Sequence, residues 1–148
     1  NLLQKFLERR GNPPYSISGD LNLVNIPIKT LGNLKRVEGD LDLYKVQIKS
    51  LGNLKRVEGN LLLDETSIKS LGNLEYVGGD FDLQRTLIES LGNLIKVGGS
   101  LVLIKTPIES LGNLKHVGSS LYLEGTPLSE TMSEDEIRSK VNVEGDIY

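Results

Sequence analysis

Aspartates recur in this 148-residue sequence at positions that could together supply oxygen ligands to a cation. They are Asp20, Asp40, Asp80, Asp42 and Asp82. Calcium prefers clustered carboxylates of this kind. Asn60 and Ser100 interrupt the first set, however, and the glycine-dense repeat of calcium-binding β-helices is absent. We therefore interpret the aspartates as a solvated acidic face that discourages edge pairing, and we expect neither a metal nor another cofactor.

Basic residues form a second repeated set, which would suit the phosphates of a nucleic acid or another polyanion. The set comprises Lys35, Arg36, Lys55, Arg56, Lys96, Lys115 and His116, with Lys29, Lys49 and Lys69 one turn earlier. Acidic residues interrupt it at Glu38, Glu58, Glu75, Glu89 and Glu109. Tyr76 is the only aromatic residue available for base stacking, and the net charge is −3. A solubilising face is the favoured interpretation, and polyanion binding is the alternative.

The sequence contains no recognisable catalytic set. His116 is the only histidine, and its repeat position holds arginine, tyrosine or lysine elsewhere. The chain has no cysteine, which excludes a thiol nucleophile and a thiolate metal site. A phosphate-binding glycine loop and a zinc-protease motif are also absent. We predict that the protein is not an enzyme; a hydrolase that uses paired carboxylates of the acidic face is the enzymatic alternative.

The residues that must position these side chains belong to a strict repeat. Leu-Gly-Asn-Leu begins at Leu31, Leu51, Leu71, Leu91 and Leu111, which is an interval of 20 residues each time. A fixed period of this length indicates stacked coils. The alternation in Leu41-x-Leu43 predicts a short strand with one face inward. Later apolar residues are three apart, which predicts that the chain turns within each coil, with glycine and asparagine at the corners.

The chain is predicted to form one solenoid domain over residues 1–148. Residues 1–16 are predicted to be an N-terminal helical cap, because an apolar stripe begins at Leu2 and Gly11 ends the pattern. Residues 17–128 hold the 20-residue repeats, and Ile17 takes the position that Val37 has in the next coil. The stack needs such a cap because each open end exposes apolar residues.

Residues 129–148 depart from the period. Ile147 lies 26 residues after Leu121, so six residues have been inserted. Ser133 and Glu136 form a capping-box pattern, which predicts a helix over 134–140 within the last coil. A terminal strand over 143–148 is expected to follow, and its exposed edge suggests self-association as a further possibility.

The repeat resembles the leucine-rich repeat class. Phe81-x-Leu83-x-x-Thr86-x-Ile88-x-x-Leu91 follows the family core, except that its asparagine position holds Ile26, Val46, Thr66, Thr86, Thr106 and Thr126. The element over residues 37–43 is similar to the receptor L-domain subgroup and to short repeat proteins of bacteria and their viruses. The resemblance implies a mainly β repeat solenoid with a parallel sheet along one face and short N-terminal and C-terminal helices. It also implies a role in binding macromolecules.

Two outward columns of the predicted strands vary from coil to coil, whereas the inward leucines do not. β-branched and aromatic side chains on such a face can bind a partner, although they also simply suit a strand. We therefore predict a non-enzymatic scaffold that binds a protein partner through these columns. The predicted partner-binding residues are Asn22, Asp42, Tyr44, Leu62, Asp64, Asp82, Val102, Ile104 and Tyr122.

The sequence also bears on location. No apolar run approaches the roughly 20 residues that are needed to span a bilayer. No secretory signal pattern is visible at the start, and the lack of cysteine agrees with a reducing compartment. We expect a cytoplasmic protein that does not bind a membrane.

Overall fold

In the computed structural model of the protein, residues 2, 5, 11 and 13–148 are described. Most of the predicted N-terminal helical cap over residues 1–16 therefore lies outside the described residues. The elements in the described part are β1 Tyr15–Ile17, β2 Leu21–Asn22, β3 Leu34–Val37, β4 Leu41–Asp42, β5 Arg56–Val57, β6 Leu61–Leu62, β7 Tyr76–Val77, β8 Phe81–Asp82, β9 Lys96–Val97, β10 Leu101–Val102, β11 His116–Val117, β12 Leu121–Tyr122, α1 Pro127–Thr131, α2 Glu134–Lys140 and β13 Asn142–Val143.

The strands form two parallel sheets that run the length of a solenoid. One sheet has six strands in the order β12-β10-β8-β6-β4-β2, and the other has seven in the order β1-β3-β5-β7-β9-β11-β13. Neighbouring strands are offset by one repeat, as in Leu41 with Leu61 and Val57 with Val77. The predicted mainly β solenoid is confirmed. The six-stranded sheet is the predicted one, and the seven-stranded sheet was not predicted.

Each coil has three sides. In the coil that begins at Leu41, Leu41–Asp42 belongs to the six-stranded sheet and Arg56–Val57 to the seven-stranded sheet. Residues 46–51 connect them along a third side. On this side the coils are joined by isolated parallel bridges, namely Ser50 with Ser70 and Ser90 with Ser110.

The repeated aliphatic positions fill the interior. Leu43, Leu63 and Leu103 have no exposed surface, and neither do Ile48 and Leu54. Burial of apolar side chains is the main favourable term in folding. Because each coil stacks its leucines on those of the next, the core runs continuously through the solenoid. The predicted division between inward and outward positions is therefore confirmed.

Polar ladders accompany the core. The first three corner asparagines form an amide ladder, in which Asn53 Nδ2 donates to Asn33 Oδ1 over 3.0 Å and Asn73 Nδ2 donates to Asn53 Oδ1 over 3.3 Å. Four threonines, Thr66, Thr86, Thr106 and Thr126, form a second column. Each is buried, and each hydroxyl donates to the leucine carbonyl three residues earlier, as Thr86 does to Leu83 over 2.8 Å. The hydroxyl thus takes an acceptor inside its own coil, where an unpaired polar group would be costly.

The C-terminal insertion has the predicted register. His116 pairs with Asn142, so the coil that contains the insertion is longer than the others and still returns to the sheet. The predicted helix is confirmed as α2, and the Ser133 hydroxyl accepts the backbone N–H of Glu136 over 3.1 Å. The preceding helix, α1, was not predicted. The predicted strand over 143–148 is divided into β13 and a single bridge between Leu121 and Ile147. Neither α1 nor α2 has the length or apolar composition to cross a bilayer, and no other helix in the described residues does.

Candidate functional site

The predicted partner-binding residues lie on the outer face of the six-stranded sheet. Asn22 is exposed and the other predicted residues are half-buried. Strand pairing aligns them across the sheet, with Asn22 beside Asp42, Asp42 beside Leu62 and Leu62 beside Asp82. Val102 follows Asp82 in the same row, and Tyr122 is the last of the predicted residues in it. The structure therefore brings the predicted residues onto one continuous surface, which we call the outer face.

Two acidic residues of the outer face, Asp42 and Asp82, accept hydrogen bonds from the backbone. Asp42 Oδ1 accepts the backbone N–H of Tyr44 over 3.0 Å, and Asp82 Oδ1 accepts that of Gln84 over 2.9 Å. Asn22 makes the same bond two residues along. Asparagine and aspartate favour this turn because the side chain imitates a backbone acceptor. These residues thus end their strands, a role that the sequence interpretation missed.

Asp64 is the carboxylate on this face whose ionisation is perturbed. Burial raises the pKa of Asp64, and the nearby charges of Asp82 and Asp42 raise it further. Asp64 is half-buried and lies on the same face as Leu62. The N-terminal half of the outer face is therefore acidic, and its carboxylates repel one another.

Replacing Asp64 by asparagine is expected to stabilise the protein at neutral pH. The folded-state pKa is raised, so the wild-type protein loses stability as the pH rises through that pKa, and the amide removes this loss. The gain should be under about 1 kcal/mol because the group is partly exposed, and it should vanish in acid, where Asp64 is protonated in both states. Urea unfolding at neutral and acidic pH measures it. A loss of stability at neutral pH would contradict the expectation.

The C-terminal half of the outer face is apolar and includes a residue that was not predicted. Val102 and Tyr122 are paired neighbours, and Ile104 lies two residues beyond Val102. The Tyr148 ring stacks on Tyr122 with centroids 4.9 Å apart and an interplanar angle of 15°. Tyr148 is 60% exposed, and its hydroxyl donates to Asp146 Oδ2 over 3.2 Å. The match between Ile147 and Leu121 places Tyr148 in the column of Tyr122, so the sequence contained this signal.

The other aspartate column connects successive coils. Asp20 Oδ1 accepts the backbone N–H of Asp40 over 2.7 Å, and Asp40 Oδ1 accepts that of Asn60 over 2.7 Å. Asn60 and Asp80 continue the ladder. Asparagine substitutes for aspartate here because only an oxygen acceptor is required. Among the described residues, no group of three or more histidine, cysteine, aspartate and glutamate side chains is arranged to hold a metal ion.

The basic residues of the seven-stranded sheet are partly engaged by acidic neighbours. Glu58 forms ion pairs with Arg36 over 3.2 Å and with Arg56 over 2.9 Å, and the hydrogen bond from Arg56 lowers the pKa of Glu58. The Arg56 guanidinium also lies 4.1 Å from the centroid of the Tyr76 ring. His116 Nε2 lies 3.3 Å from Glu144 Oε1. The outer surface of the seven-stranded sheet therefore carries both positive and negative charges.

A comparison of the chain with protein-family models, with curated protein sequences and with solved structures returned no match.

Proposed function

We propose that the protein is a non-enzymatic scaffold that binds a protein partner through the C-terminal half of the outer face. The supporting observation is that the outward column changes from coil to coil while the inward column stays leucine or phenylalanine. As a result, the apolar residues Val102, Ile104 and Tyr122 lie together at the C-terminal end of the outer face, and Tyr148 enlarges this apolar patch. A repeat that needed only to stack would gain nothing from this concentration of apolar groups.

The chemistry of the patch suits a protein surface. Stacked tyrosines offer apolar ring faces together with hydroxyl groups that can hydrogen-bond at a rim. Aromatic residues are enriched at the centres of protein interfaces, and charged residues are depleted there. The acidic half beside the patch, which includes Asp82 and Asp64, would favour a partner with basic residues at one end. The leucine-rich repeat resemblance agrees with this proposal.

The test is a pair of substitutions that copy another coil of the same protein. Val102→Asp with Ile104→Gln reproduces Asp82 and Gln84, so the strand and its turn are expected to remain intact. The immobilised wild-type protein and the double variant are each used to recover proteins from the native cells. Recovery by the variant should fall at least about tenfold, since loss of a buried interface centre typically costs more than about 1.4 kcal/mol.

Ile95→Gln is the matched control. Ile95 is 46% exposed, and it lies beside the seven-stranded sheet rather than on the outer face. The control makes the same isoleucine-to-glutamine change as at Ile104 but outside the proposed binding surface, so recovery should not change. Equal recovery by all three proteins, or no protein enriched above bare resin, would reject the proposal. Thermal unfolding of each variant establishes that the fold is retained.

The two alternatives have less support. Polyanion binding would use Arg36 and Arg56, but Glu58 occupies both. Hydrolysis would use the carboxylates of Asp42 and Asp82, each of which accepts a backbone hydrogen bond in its own turn. A cytoplasmic location stays a prediction.

A further inference from the structure

The third side of the solenoid carries a column of charges that is segregated by sign. The column, which we call the charged ridge, consists of Lys29, Lys49, Lys69, Glu89 and Glu109. All five side chains are exposed. Backbone hydrogen bonds of 2.9 Å join Lys69 to Lys49 and Glu109 to Glu89. Like charges therefore occupy adjacent coils, with the positive charges at one end of the ridge and the negative charges at the other.

This segregation is unfavourable within a single molecule. Like charges on directly adjacent strands destabilise a sheet, whereas alternating signs stabilise it. The neighbouring corner shows the favourable arrangement, because Glu65 pairs with Lys45 over 3.6 Å and with Arg85 over 3.2 Å. No member of the charged ridge forms an ion pair with another residue in the described part of the chain. The ridge thus leaves its charges available to an external partner.

An exposed leucine lies where the sign changes. Leu87 is 49% exposed, and with Lys69, Glu89 and Pro107 it lines a shallow depression of about 300 Å³. The bonding between coils also changes at this point, where the Leu87 N–H donates to the Ile68 carbonyl over 3.1 Å. Ser50 bridges to Ser70 and Ser90 bridges to Ser110, but no such bridge joins Ser70 to Ser90. The centre of the charged ridge is therefore apolar, recessed and flanked by opposite charges.

We propose that the charged ridge binds a second copy of this chain, with the two stacks antiparallel. A twofold axis that crosses the ridge between Lys69 and Glu89 reverses the stack direction. It places Lys69 opposite Glu89 of the second copy and Lys49 opposite Glu109, and symmetry doubles each pair. The two Leu87 side chains then lie next to each other beside the axis. An isologous contact of this kind must be self-complementary, and the order of charges on the ridge satisfies that requirement.

The association is expected to be weak and sensitive to salt. The ridge covers five coils, which is about 20 Å at a strand spacing of about 4.8 Å. A single column of side chains of this length buries less surface than the roughly 1,600 Å² of a standard stable interface. Exposed ion pairs are screened in about 1 M salt, where the Debye length is about 3 Å. A dimer should therefore form at high protein concentration and low ionic strength, and dissociate when salt is added.

Charge reversal tests the geometry. Lys69→Glu and Glu89→Lys should each weaken dimerisation about tenfold or more, because two attractive pairs become repulsive. Combining both substitutions in one chain should restore the wild-type dissociation constant, since the opposite charges again face each other. Mixing the two single variants should also restore dimerisation, now as a heterodimer. Sedimentation equilibrium from micromolar to millimolar protein, at low and high salt, measures every case.

Lys96→Glu is the control, because it makes the same change in net charge on the outer surface of the seven-stranded sheet. It should alter the dissociation constant by less than about twofold. A wild-type protein that stays monomeric at millimolar concentration and low salt overturns the proposal. So does a dimer that tolerates Lys69→Glu. Because these substitutions leave the outer face intact, failure here and failure of the proposed scaffold function are distinguishable.

Discussion

Replacement of Phe81 by alanine is expected to lower the free energy of unfolding by about 3–5 kcal/mol. Phe81 has no exposed surface and heads the fully buried side chains when these are ranked by volume. Its strand lies between those that begin at Leu61 and Leu101, in the middle of the six-stranded sheet. The loss combines the lost burial of the ring with a cavity that coils on both sides must share. Urea unfolding measures it as a lower midpoint.

Phe81→Leu provides the matched control for this prediction. The same position holds leucine in five other coils, at Leu21, Leu41, Leu61, Leu101 and Leu121. Leucine therefore suits the local backbone and leaves a smaller gap, so the loss should be about 1 kcal/mol. A loss below about 1 kcal/mol for the alanine variant would show that Phe81 is not part of a packed core.

The inward columns were predictable because identical residues stack on one another. A fixed period without insertions leaves only one register, and that register buries Leu43 on Leu63. The seven-stranded sheet was not predicted for a different reason. Its strands are mostly two residues long, and Leu54 and Val57 are three apart, so no alternation marks them. Their strand character comes from hydrogen bonds to neighbouring coils, which is a tertiary property.

The two C-terminal helices show the same distinction. The helix α2 follows from a local signal, because the capping box at Ser133 fixes its start whatever surrounds it. The helix α1 begins after Thr126 with a proline, but Thr106 is also followed by a proline and no helix begins there. In the coil that contains Thr106, the backbone N–H of Glu109 donates to the carbonyl of Glu89. In α1, Ser129 instead bonds to the Thr126 hydroxyl. The same Thr-Pro pair therefore begins a helix in one coil and not in the other.

The candidate site was predicted as a set of positions but not as a set of roles. The outward columns were correct because they follow directly from the inward ones. The turn made by Asp42 depends on a hydrogen bond to Tyr44 that period and composition do not reveal. The order of residues in the column, with Leu62 between Asp42 and Asp82, follows from the period, and the strand pairing agrees with it.

Gly72→Ala is expected to cost about 2–4 kcal/mol, combining the terms for a left-handed L-residue and for overpacking. Gly72 has a φ of +57°, a conformation that costs an L-residue about 1–2 kcal/mol. In addition, a Cβ atom there would overlap the carbonyl oxygen of Gly52 and lie 2.9 Å from its nitrogen. Backbone atoms of a packed coil cannot move away independently, so the two coils would have to separate. The midpoint of urea unfolding measures the loss.

Gly92→Ala separates the two causes. Gly92 has nearly the same φ, +54°, but no atom lies within 4 Å of its added Cβ. It should therefore cost only about 1 kcal/mol, which is the conformational term less the entropy that glycine loses on folding. The difference arises because the corners stack alternately. The Asn73 N–H bonds to the Gly52 carbonyl over 3.1 Å, whereas Asn93 reaches the Gly72 carbonyl only through its side chain, over 3.5 Å. Equal losses for the two variants would mean that the glycine corners are evenly spaced.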